Sequence, residues 1–254
     1  MKASTLLQRH AQLWESTPPS HRKVVLVRHG ETDWNASKRF QGHTDIPLNP
    51  LGVQQALALA GHFRQLEEAI QRPIAQRCIS SDLSRARDTA AILWDAQAKL
   101  HLEPKLRERD YGHLSGLTGD EMAAQHPEAF QGLKARAPHS PLPGGESLHD
   151  FNQRVLTAFV KLLSDYPDDD LLLVAHGGVL DCIYRYCTRE PLEKHRDWLL
   201  PNAALNLLQV EKARSQAEET SATPPAAEIL LWADQSHFVQ QEDRPKDEVD
   251  GRIA

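Results

Sequence analysis

Two histidines, each followed by glycine, end two apolar runs of the sequence and are the residues best placed for chemistry. The runs are VVLVRHG at 24–30 and LLLVAHGG at 171–178. Such runs are typical of parallel strands buried on both faces. Ligands of open α/β sheets bind at the carboxyl ends of these strands, so His29 and His176 would face each other if the strands are neighbours. With Arg28 alongside, the pattern indicates an anion site; the alternative is two core histidines bonded to backbone.

Further cations and backbone donors are predicted at the same edge of the sheet. Gly177 and Gly178 could expose backbone N–H groups at the start of the next helix, a favourable place for an anion. A third strand ends near residues 80–81, and the helix after it carries Arg85 and Arg87. The two arginines lie about 200° apart around a helix, so at most one points into the site. We expect Arg85 to do so, because it is nearer the helix start, and we expect Arg87 at the surface.

A charged cluster, LRERDYG at 106–112, follows another short strand candidate. A carboxylate held there could act as a general acid or base. Spacing alone does not choose between Glu108 and Asp110, and a surface ion-pair cluster is the alternative. The sequence therefore offers cations for an anion and a carboxylate for proton transfer.

The elements that position these residues alternate between strand and helix patterns. Strands are predicted at 23–28, 78–80, 171–175, 203–210 and 228–233. Amphipathic spacing predicts helices at 50–68, 82–97, 147–166 and 179–186, with Asn49 and Ser81 as N-caps of the first two. This alternation predicts a three-layer, doubly wound α/β fold with a mostly parallel sheet and helices on both faces. A small cap is expected from the loops at 111–146, around a short helix near 118–125.

The 254 residues, 40% of them hydrophobic, can bury the core of one domain. We predict a polar leader at 1–22 with one or two helical turns, a single domain at 23–240, and a charged tail at 241–254. The polar segment at 211–227 is expected to be a mobile surface loop.

Composition excludes several classes of protein. The net charge of −6 is opposite to the basic footprint of nucleic-acid binders. No apolar run approaches the roughly 18 residues of a membrane span, and no signal peptide is recognisable, which indicates a cytoplasmic protein without membrane partners. The three cysteines lack CxxC spacing, so neither a disulfide framework nor a thiolate zinc site is predicted.

Two other kinds of enzyme are not supported by motifs. The HGG at 176–178 is found in esterase oxyanion loops, but no GxSxG nucleophile motif is present. No metal site is predicted among the 13 histidines, because no HExxH motif occurs. Most of the remaining histidines, such as His10, His62 and His195, are expected at the surface.

Several spaced segments occur together and in order between about residues 24 and 240. They are RHGETDWN at 28–35, RFQGHTDIPLNPLGVQQA at 39–56, SSDLSRARDTA at 80–90, LRERDYGHLSG at 106–116, GGES at 144–147 and VAHGG at 174–178. Together they resemble the histidine phosphatase superfamily, in its phosphoglycerate mutase-like RHG branch. The resemblance implies a doubly wound sheet that holds a metal-free phosphate pocket.

The resemblance also implies roles for individual residues. His29 corresponds to the nucleophile that becomes a phosphohistidine, and Glu108 to the proton donor. Arg28, Arg85 and His176 match phosphate-binding positions, where fixed cations stabilise the transferring phosphoryl group and His176 would serve as a cation. The expected substrate contacts are Thr32, Asn35, Gln41, Gly42 and Tyr111, to which the helix start adds Gly177.

The predicted function is a metal-independent phosphomonoesterase that acts on a small phosphorylated metabolite without a cofactor. The alternative is a phosphoglycerate mutase dependent on 2,3-bisphosphoglycerate. Such mutases carry a longer basic insertion before the second HG, whereas here Lys134 and Arg136 are the only lysine or arginine residues between 112 and 146. A non-catalytic, phosphate-ester-binding regulator is a third hypothesis, disfavoured because the expected core residues are all present. The later strands could form an edge or an interface, so a homodimer is compatible with the sequence.

Overall fold

A computed structural model of the chain describes residues 3–94, 99–212 and 225–238. The six strands are β1 (His21–Arg28), β2 (Arg77–Ser80), β3 (Leu100–Leu102), β4 (Leu171–Ala175), β5 (Leu205–Glu211) and β6 (Ala227–Asp234). They form one sheet in the order β3-β2-β4-β1-β5-β6. The first four strands in this order are mutually parallel, β5 pairs antiparallel with β1, and β6 pairs antiparallel with β5. The predicted tail at 241–254 and most of the predicted loop at 211–227 lie outside the described residues.

Helices separate the parallel strands. They are α1 (Ala3–Glu15), α2 (Asp33–Ala36), α3 (Pro50–Ile70), α4 (Ser84–Leu93), α5 (Gly119–Gln125), α6 (Pro127–Lys134), α7 (Leu148–Asp165) and α8 (Gly177–Thr188). Helix α3 begins as predicted, because the Asn49 side chain accepts a hydrogen bond from the Gly52 N–H at 2.8 Å. Helix α4 begins later than predicted, with Leu83 rather than Ser81 as its N-cap. In the described part of the chain, no helix is both long and apolar enough to cross a membrane.

The helices cover both faces of the sheet, which confirms the predicted three-layer α/β fold. Val24 and Leu26 of β1 point to the face covered by α7 and α8. Val25 and Val27 alternate to the other face, where α1, α3 and α4 pack. All four side chains are buried, and each such burial contributes about 1.5–3 kcal/mol of transfer free energy. The period-two alternation therefore holds the central strand between two cores.

The strand register brings the predicted chemical groups to one edge of the sheet. β1 pairs in parallel with β4, with Arg28 opposite Ala175, so His29 and His176 follow at the same level. β2 lies on the other side of β4, with Ser80 opposite Val174, and so delivers Ser81 to the same edge. The expectation that the two His-Gly strands are neighbours is confirmed.

The expected cap is a small helical subregion between β3 and α7. Its apolar centre consists of Phe40, Tyr111, Leu114, Met122, Leu133 and Leu142. Helix α5 matches the helix predicted near 118–125, and Thr118 caps it by accepting a hydrogen bond from the Glu121 N–H. Helix α6 was not predicted. Arg39 joins the cap to the loop after β1 through an ion pair with Glu121 at 2.7 Å.

The expectation of a polar leader with one or two helical turns is wrong for residues 3–15. Helix α1 spans 13 residues and packs against α3. Leu7, Ala11 and Trp14 recur at helical spacing and join the core on this face of the sheet; the Trp14 side chain is only 1% exposed. Trp14 Nε1 also donates a hydrogen bond to the Ile74 carbonyl. An apolar stripe in a mostly polar segment is enough to bury it.

Two of the histidines expected at the surface, His10 of α1 and His62 of α3, are buried. His10 Nδ1 lies 2.8 Å from His62 Nε2, and His10 Nε2 lies 3.4 Å from Asp234 Oδ2. The His237 ring stacks on His62 with centroids 6.0 Å apart. The prediction was wrong because these rings find polar partners on elements distant in sequence. His195 is exposed, as expected.

We expect this buried histidine cluster to make the fold sensitive to acid. Burial, with a further contribution from His10, lowers the pKa of His62 to about 4. An unfolded histidine titrates near pKa 6.5, so below that pH the unfolded chain binds more protons and the free energy of unfolding falls. We expect His62→Gln to reduce the stability loss between pH 7.5 and 5 by on the order of 2 kcal/mol, measured by urea unfolding in phosphate-free buffer. His195→Gln is the exposed control, and equal pH dependence in wild type and His62→Gln would refute the assignment.

Candidate active site

His29 follows β1 and is fixed as a neutral imidazole with a defined tautomer. Its Nδ1 lies 2.7 Å from the Gly30 carbonyl oxygen. A carbonyl only accepts hydrogen bonds, so Nδ1 carries the proton and Nε2 keeps its lone pair. Burial and the nearby charges of Arg85 and Arg28 hold the pKa of His29 well below its usual value. Nε2 is therefore available as a nucleophile.

Two buried arginines flank this histidine and are oriented by backbone carbonyls. Arg28 Nη1 donates to the Leu200 carbonyl at 2.7 Å. Arg85 Nη1 and Nη2 donate to the carbonyls of Thr44 and Gly42 at 2.9 and 2.8 Å. These bonds hold both guanidinium groups in place without neutralising their charge. Fixed cations of this kind suit an anionic ligand.

The helical angle between Arg85 and Arg87 separates them as predicted. Arg85 is fully buried in the site, whereas Arg87 lies at the surface, where its Nε donates to Asp88 Oδ1 at 2.9 Å. The single inward arginine of α4 is thus the one nearer the start of the helix.

His176 follows β4, and its ring lies beside that of His29 with centroids 5.2 Å apart. Its Nε2 lies 2.8 Å from Ser81 Oγ. Burial, Arg85, His29 and Arg28 hold the pKa of His176 well below its usual value. Burial and the neighbouring positive charges thus favour the neutral ring in the ligand-free site, and a cationic His176 stays a prediction for the occupied site.

The structure distinguishes between the two candidate carboxylates. Glu108 Oε2 accepts from the Gly178 N–H at 2.9 Å, and Oε1 accepts from the Arg109 N–H at 2.8 Å. Glu108 lines the cavity with His29. Asp110 instead accepts from the Gly112 N–H at 2.9 Å and belongs to the cap loop. Of the two candidate carboxylates, Glu108 is the one that lines the cavity.

A small polar cavity of about 20 Å³ lies beside His29 and Glu108. It is lined by Arg28, His29, Asn35, Phe40, Gln41, Arg85, Glu108 and Tyr111. Asn35 Nδ2 and Gln41 Oε1 are buried there and have no hydrogen-bond partner among the described residues. Over the ranges that the structure describes, no group of three or more His, Cys, Asp or Glu side chains could hold a metal ion.

Comparison with known proteins identifies the family. A family model described as "Histidine phosphatase superfamily (branch 1)" matches residues 24–223. The chain belongs to this superfamily. The predicted resemblance is confirmed.

Superfamily relatives of this histidine phosphatase chain carry both hydrolase and mutase names. It is 38% identical over 172 residues to "Metal-independent phosphoserine phosphatase" of Arabidopsis thaliana, covering 66% of this chain and 69% of the relative. It is 33% identical over 192 residues to "Probable phosphoglycerate mutase GpmB" of Enterobacter sp. (strain 638), covering 75% and 86%. The solved structure "Bacillus stearothermophilus YhfR" matches with a TM-score of 0.70 and 26% identity, covering 85% of this chain and 98% of that one.

The substrate positions expected for a histidine phosphatase are not equivalent in the structure. Asn35, Gln41 and Tyr111 line the cavity. Thr32 is fully buried and caps α2, where its Oγ1 accepts from the Asn35 N–H at 3.1 Å. We infer that Thr32 positions Asn35. Gly42 orients Arg85 through its carbonyl, as described above.

Gly177 and Gly178, which open helix α8, meet different members of the site. A methyl group at Gly177 would lie 3.5 Å from the Arg28 guanidinium carbon, which is an ordinary contact. At Gly178 it would overlap Glu108 Oε1 and crowd the Phe151 ring. The close approach of this backbone to Glu108 therefore requires a glycine.

Replacing Gly178 by alanine should displace the Glu108 carboxylate. We expect kcat for an alkyl phosphate to fall about 10- to 100-fold, because the added methyl group pushes the Glu108 carboxylate out of position. Steady-state phosphate release measures the effect. Gly61→Ala is the control, since a methyl group there would meet only the far end of Arg64 at 4.0 Å. Unchanged activity in Gly178→Ala would show that the position of Glu108 is not limiting.

Four hydrogen bonds from side chains that the sequence did not indicate fix the backbone and rings of this histidine phosphatase site. Asn202 Nδ2 donates to the His29 carbonyl at 2.8 Å. Thr89 Oγ1 accepts from the Gly30 N–H at 3.0 Å and donates to the Arg85 carbonyl at 2.7 Å. Ser81 contacts His176. Ser81 and Thr89 lie in the matched segment at 80–90, but the sequence around Asn202 gives no indication of its role.

Proposed function

We propose that this chain hydrolyses small phosphate monoesters, without a metal, through a phosphohistidine on His29 Nε2. The tautomer of His29 carries the proposal. Its Nδ1 donates to the Gly30 carbonyl, which leaves the lone pair on Nε2, and Arg28 and Arg85 line the same cavity as His29. A neutral nucleophile beside fixed cations suits attack on an anionic phosphoryl group.

Two steps complete the reaction. In the first, His29 Nε2 bonds to phosphorus, the ester P–O bond breaks, and Glu108 gives a proton to the leaving oxygen. In the second, Glu108 takes a proton from water, the water oxygen bonds to phosphorus, and the P–N bond breaks to release inorganic phosphate. Arg28, Arg85 and His176 donate hydrogen bonds to the equatorial oxygens throughout, which stabilises their transition-state charge.

The substrate we propose is a small ester whose leaving group lies under the cap. Asn35 and Gln41 bring unpartnered polar atoms to the cavity, and Tyr111 packs edge-to-face on Phe40 at 4.9 Å to form an apolar wall. The name of the phosphoserine phosphatase relative supports this size class.

Phosphoglycerate mutase activity is the second candidate, favoured by the mutase name of a relative that shares 33% identity. It would require 2,3-bisphosphoglycerate and recognition of a second charged group on the substrate. Arg136 is buried, and its Nε and Nη2 donate to the Leu192 carbonyl and Asp181 Oδ2 at 2.8 and 3.0 Å. Lys134 is exposed. This arrangement of the cap favours hydrolysis.

Phosphorus NMR tests the two activities in one experiment. The full chain is incubated with EDTA, 3-phosphoglycerate and trace 2,3-bisphosphoglycerate, and in parallel with phosphoserine. We expect inorganic phosphate to accumulate without 2-phosphoglycerate. Sustained formation of 2-phosphoglycerate would establish the mutase, and no turnover of a broad ester panel would establish a non-catalytic binding protein.

A further inference from the structure

The Ser81 hydroxyl contacts one of the two ring nitrogens of His176. Ser81 Oγ lies 2.8 Å from His176 Nε2, and both residues are fully buried. Ser81 Oγ also accepts a hydrogen bond from the Leu83 N–H at 3.3 Å. His176 Nδ1 is buried and has no hydrogen-bond partner among the described residues. One ring nitrogen is thus engaged and the other is left for a ligand.

The hydrogens and lone pairs available at this contact favour one tautomer of His176. A hydroxyl has one hydrogen to donate, and the Leu83 N–H already uses one of its lone pairs. If Ser81 donates to Nε2, both polar groups are satisfied and the single proton of a neutral imidazole must sit on Nδ1. If Nε2 were the donor, the Ser81 hydrogen would need another acceptor, and none is bonded to it within the described ranges. The Nε2–H tautomer would thus leave both the Ser81 hydrogen and the Nδ1 lone pair unpartnered, whereas the Nδ1–H tautomer leaves only the Nδ1 proton. Each unpartnered buried group costs about 1–3 kcal/mol.

We propose that Ser81 is a positioning residue that fixes His176 in the Nδ1–H tautomer, so that Nδ1 donates a hydrogen bond to a phosphoryl oxygen. The tautomer is a property of the ligand-free chain; its use on phosphate rests on the proposed function. In the opposite tautomer, Nδ1 would present a lone pair to the anion and repel it.

The two site histidines then use the same tautomer for opposite purposes. The Nδ1–H of His29 donates a hydrogen bond to the Gly30 carbonyl, so Nε2 keeps the lone pair that attacks phosphorus. His176 accepts from Ser81 at Nε2 and presents a proton. The Gly30 carbonyl, which accepts a hydrogen bond, therefore leaves His29 a lone pair for nucleophilic attack. The Ser81 hydroxyl, which donates one, leaves His176 a proton for a phosphoryl oxygen.

Nitrogen-15 NMR of the full chain with labelled histidine tests the tautomer directly. Long-range proton–nitrogen spectra are recorded at pH 7.5 without phosphate, and His176→Gln assigns the ring by loss of its signals. We expect a protonated Nδ1 and an unprotonated Nε2 for His176. After Ser81→Ala, signal should move toward the Nε2–H form. A wild-type ring with its proton on Nε2, or an unchanged tautomer in Ser81→Ala, would overturn the proposal.

The matched control is Ser80→Ala, which removes the neighbouring buried hydroxyl. Ser80 Oγ donates to the Ser81 carbonyl at 2.8 Å and leaves the bond to His176 intact. Ser81→Cys retains a weak donor and serves if the alanine variant unfolds. This NMR result needs no turnover, so it remains interpretable if the proposed function fails.

A second measurement concerns binding of the oxyanion, with vanadate as the probe. We expect Ser81→Ala to bind vanadate about tenfold more weakly, the loss of one hydrogen bond to a charged group, while Ser80→Ala binds it as wild type does. Equal affinity in wild type and Ser81→Ala would overturn the use of Nδ1 on phosphate, whatever the tautomer.

Discussion

Replacing His29 by alanine should abolish turnover while the chain stays folded. We expect the rate of phosphate release to fall by about 10⁴-fold or more, because water would have to attack the ester directly without a covalent intermediate. The structural cost is small, since the described bond of the imidazole is local, from Nδ1 to the Gly30 carbonyl. Phosphate release from p-nitrophenyl phosphate and phosphoserine measures the effect, and urea unfolding checks the fold.

A quench experiment on the same two proteins, wild type and His29→Ala, identifies the phosphorylated atom. Rapid alkaline quenching of the wild-type chain with labelled substrate, which preserves the acid-labile P–N bond, should give phosphate on the ring nitrogen Nε2 and none in His29→Ala. His62→Gln is the matched control, because His62 is also buried but contacts His10, away from the cavity. Measurable turnover in a clean preparation of His29→Ala, or a label on Nδ1, would exclude the proposed nucleophile.

The sequence predicts the centre of this site well because position in the chain and position in the sheet coincide there. An apolar run that leads into His-Gly states both where a strand ends and which residue follows it. Parallel pairing then brings His29 and His176 to one edge, since β1 and β4 are neighbours. Helical geometry allowed at most one of Arg85 and Arg87 to point inward, and nearness to the helix start selected Arg85.

The prediction stops where tertiary partners decide. Glu108 and Asp110 are equivalent by spacing, and what separates them is the Gly178 N–H, which a distant helix start delivers to Glu108. The charge of His176 also depends on neighbours, because Arg85 and Arg28 reach its pocket from other elements. Sequence patterns show which ionisable groups are present but not the burial and neighbouring charges that set the pKa of each.

Burial of polar residues was the other failure. His10 and His62 were expected at the surface, yet they pair in the interior, where His10 also lies beside Asp234. A histidine can be buried wherever its two nitrogens find partners, and those partners lie 52 or more residues away along the chain. The N-terminal segment was misjudged for a related reason. Its apolar residues form a helix that is stabilised by packing against α3, a partner distant in sequence.

Replacing Glu108 by glutamine should slow esters with poor leaving groups far more than esters with good ones. An alkoxide such as that of phosphoserine must be protonated as the P–O bond breaks, whereas p-nitrophenolate leaves as an anion. General acid catalysis contributes about 10²–10⁴-fold, so we expect kcat/KM for phosphoserine to fall by about that factor and kcat/KM for p-nitrophenyl phosphate by less than about tenfold. kcat/KM reports the steps up to departure of the leaving group, which isolates the first half-reaction.

The design separates the proton from the geometry. Both Glu108 oxygens accept backbone hydrogen bonds, and the glutamine amide can replace only one of them, so the variant also carries a positioning loss. That loss is common to both esters and cancels in the ratio of their kcat/KM values. Asp110→Asn, a charge change in the same segment, should leave the ratio unchanged. Because Glu108 also activates water, the variant should accumulate phosphohistidine and give a burst of p-nitrophenol; equal losses on the two esters without a burst would mean that the proton comes from another group.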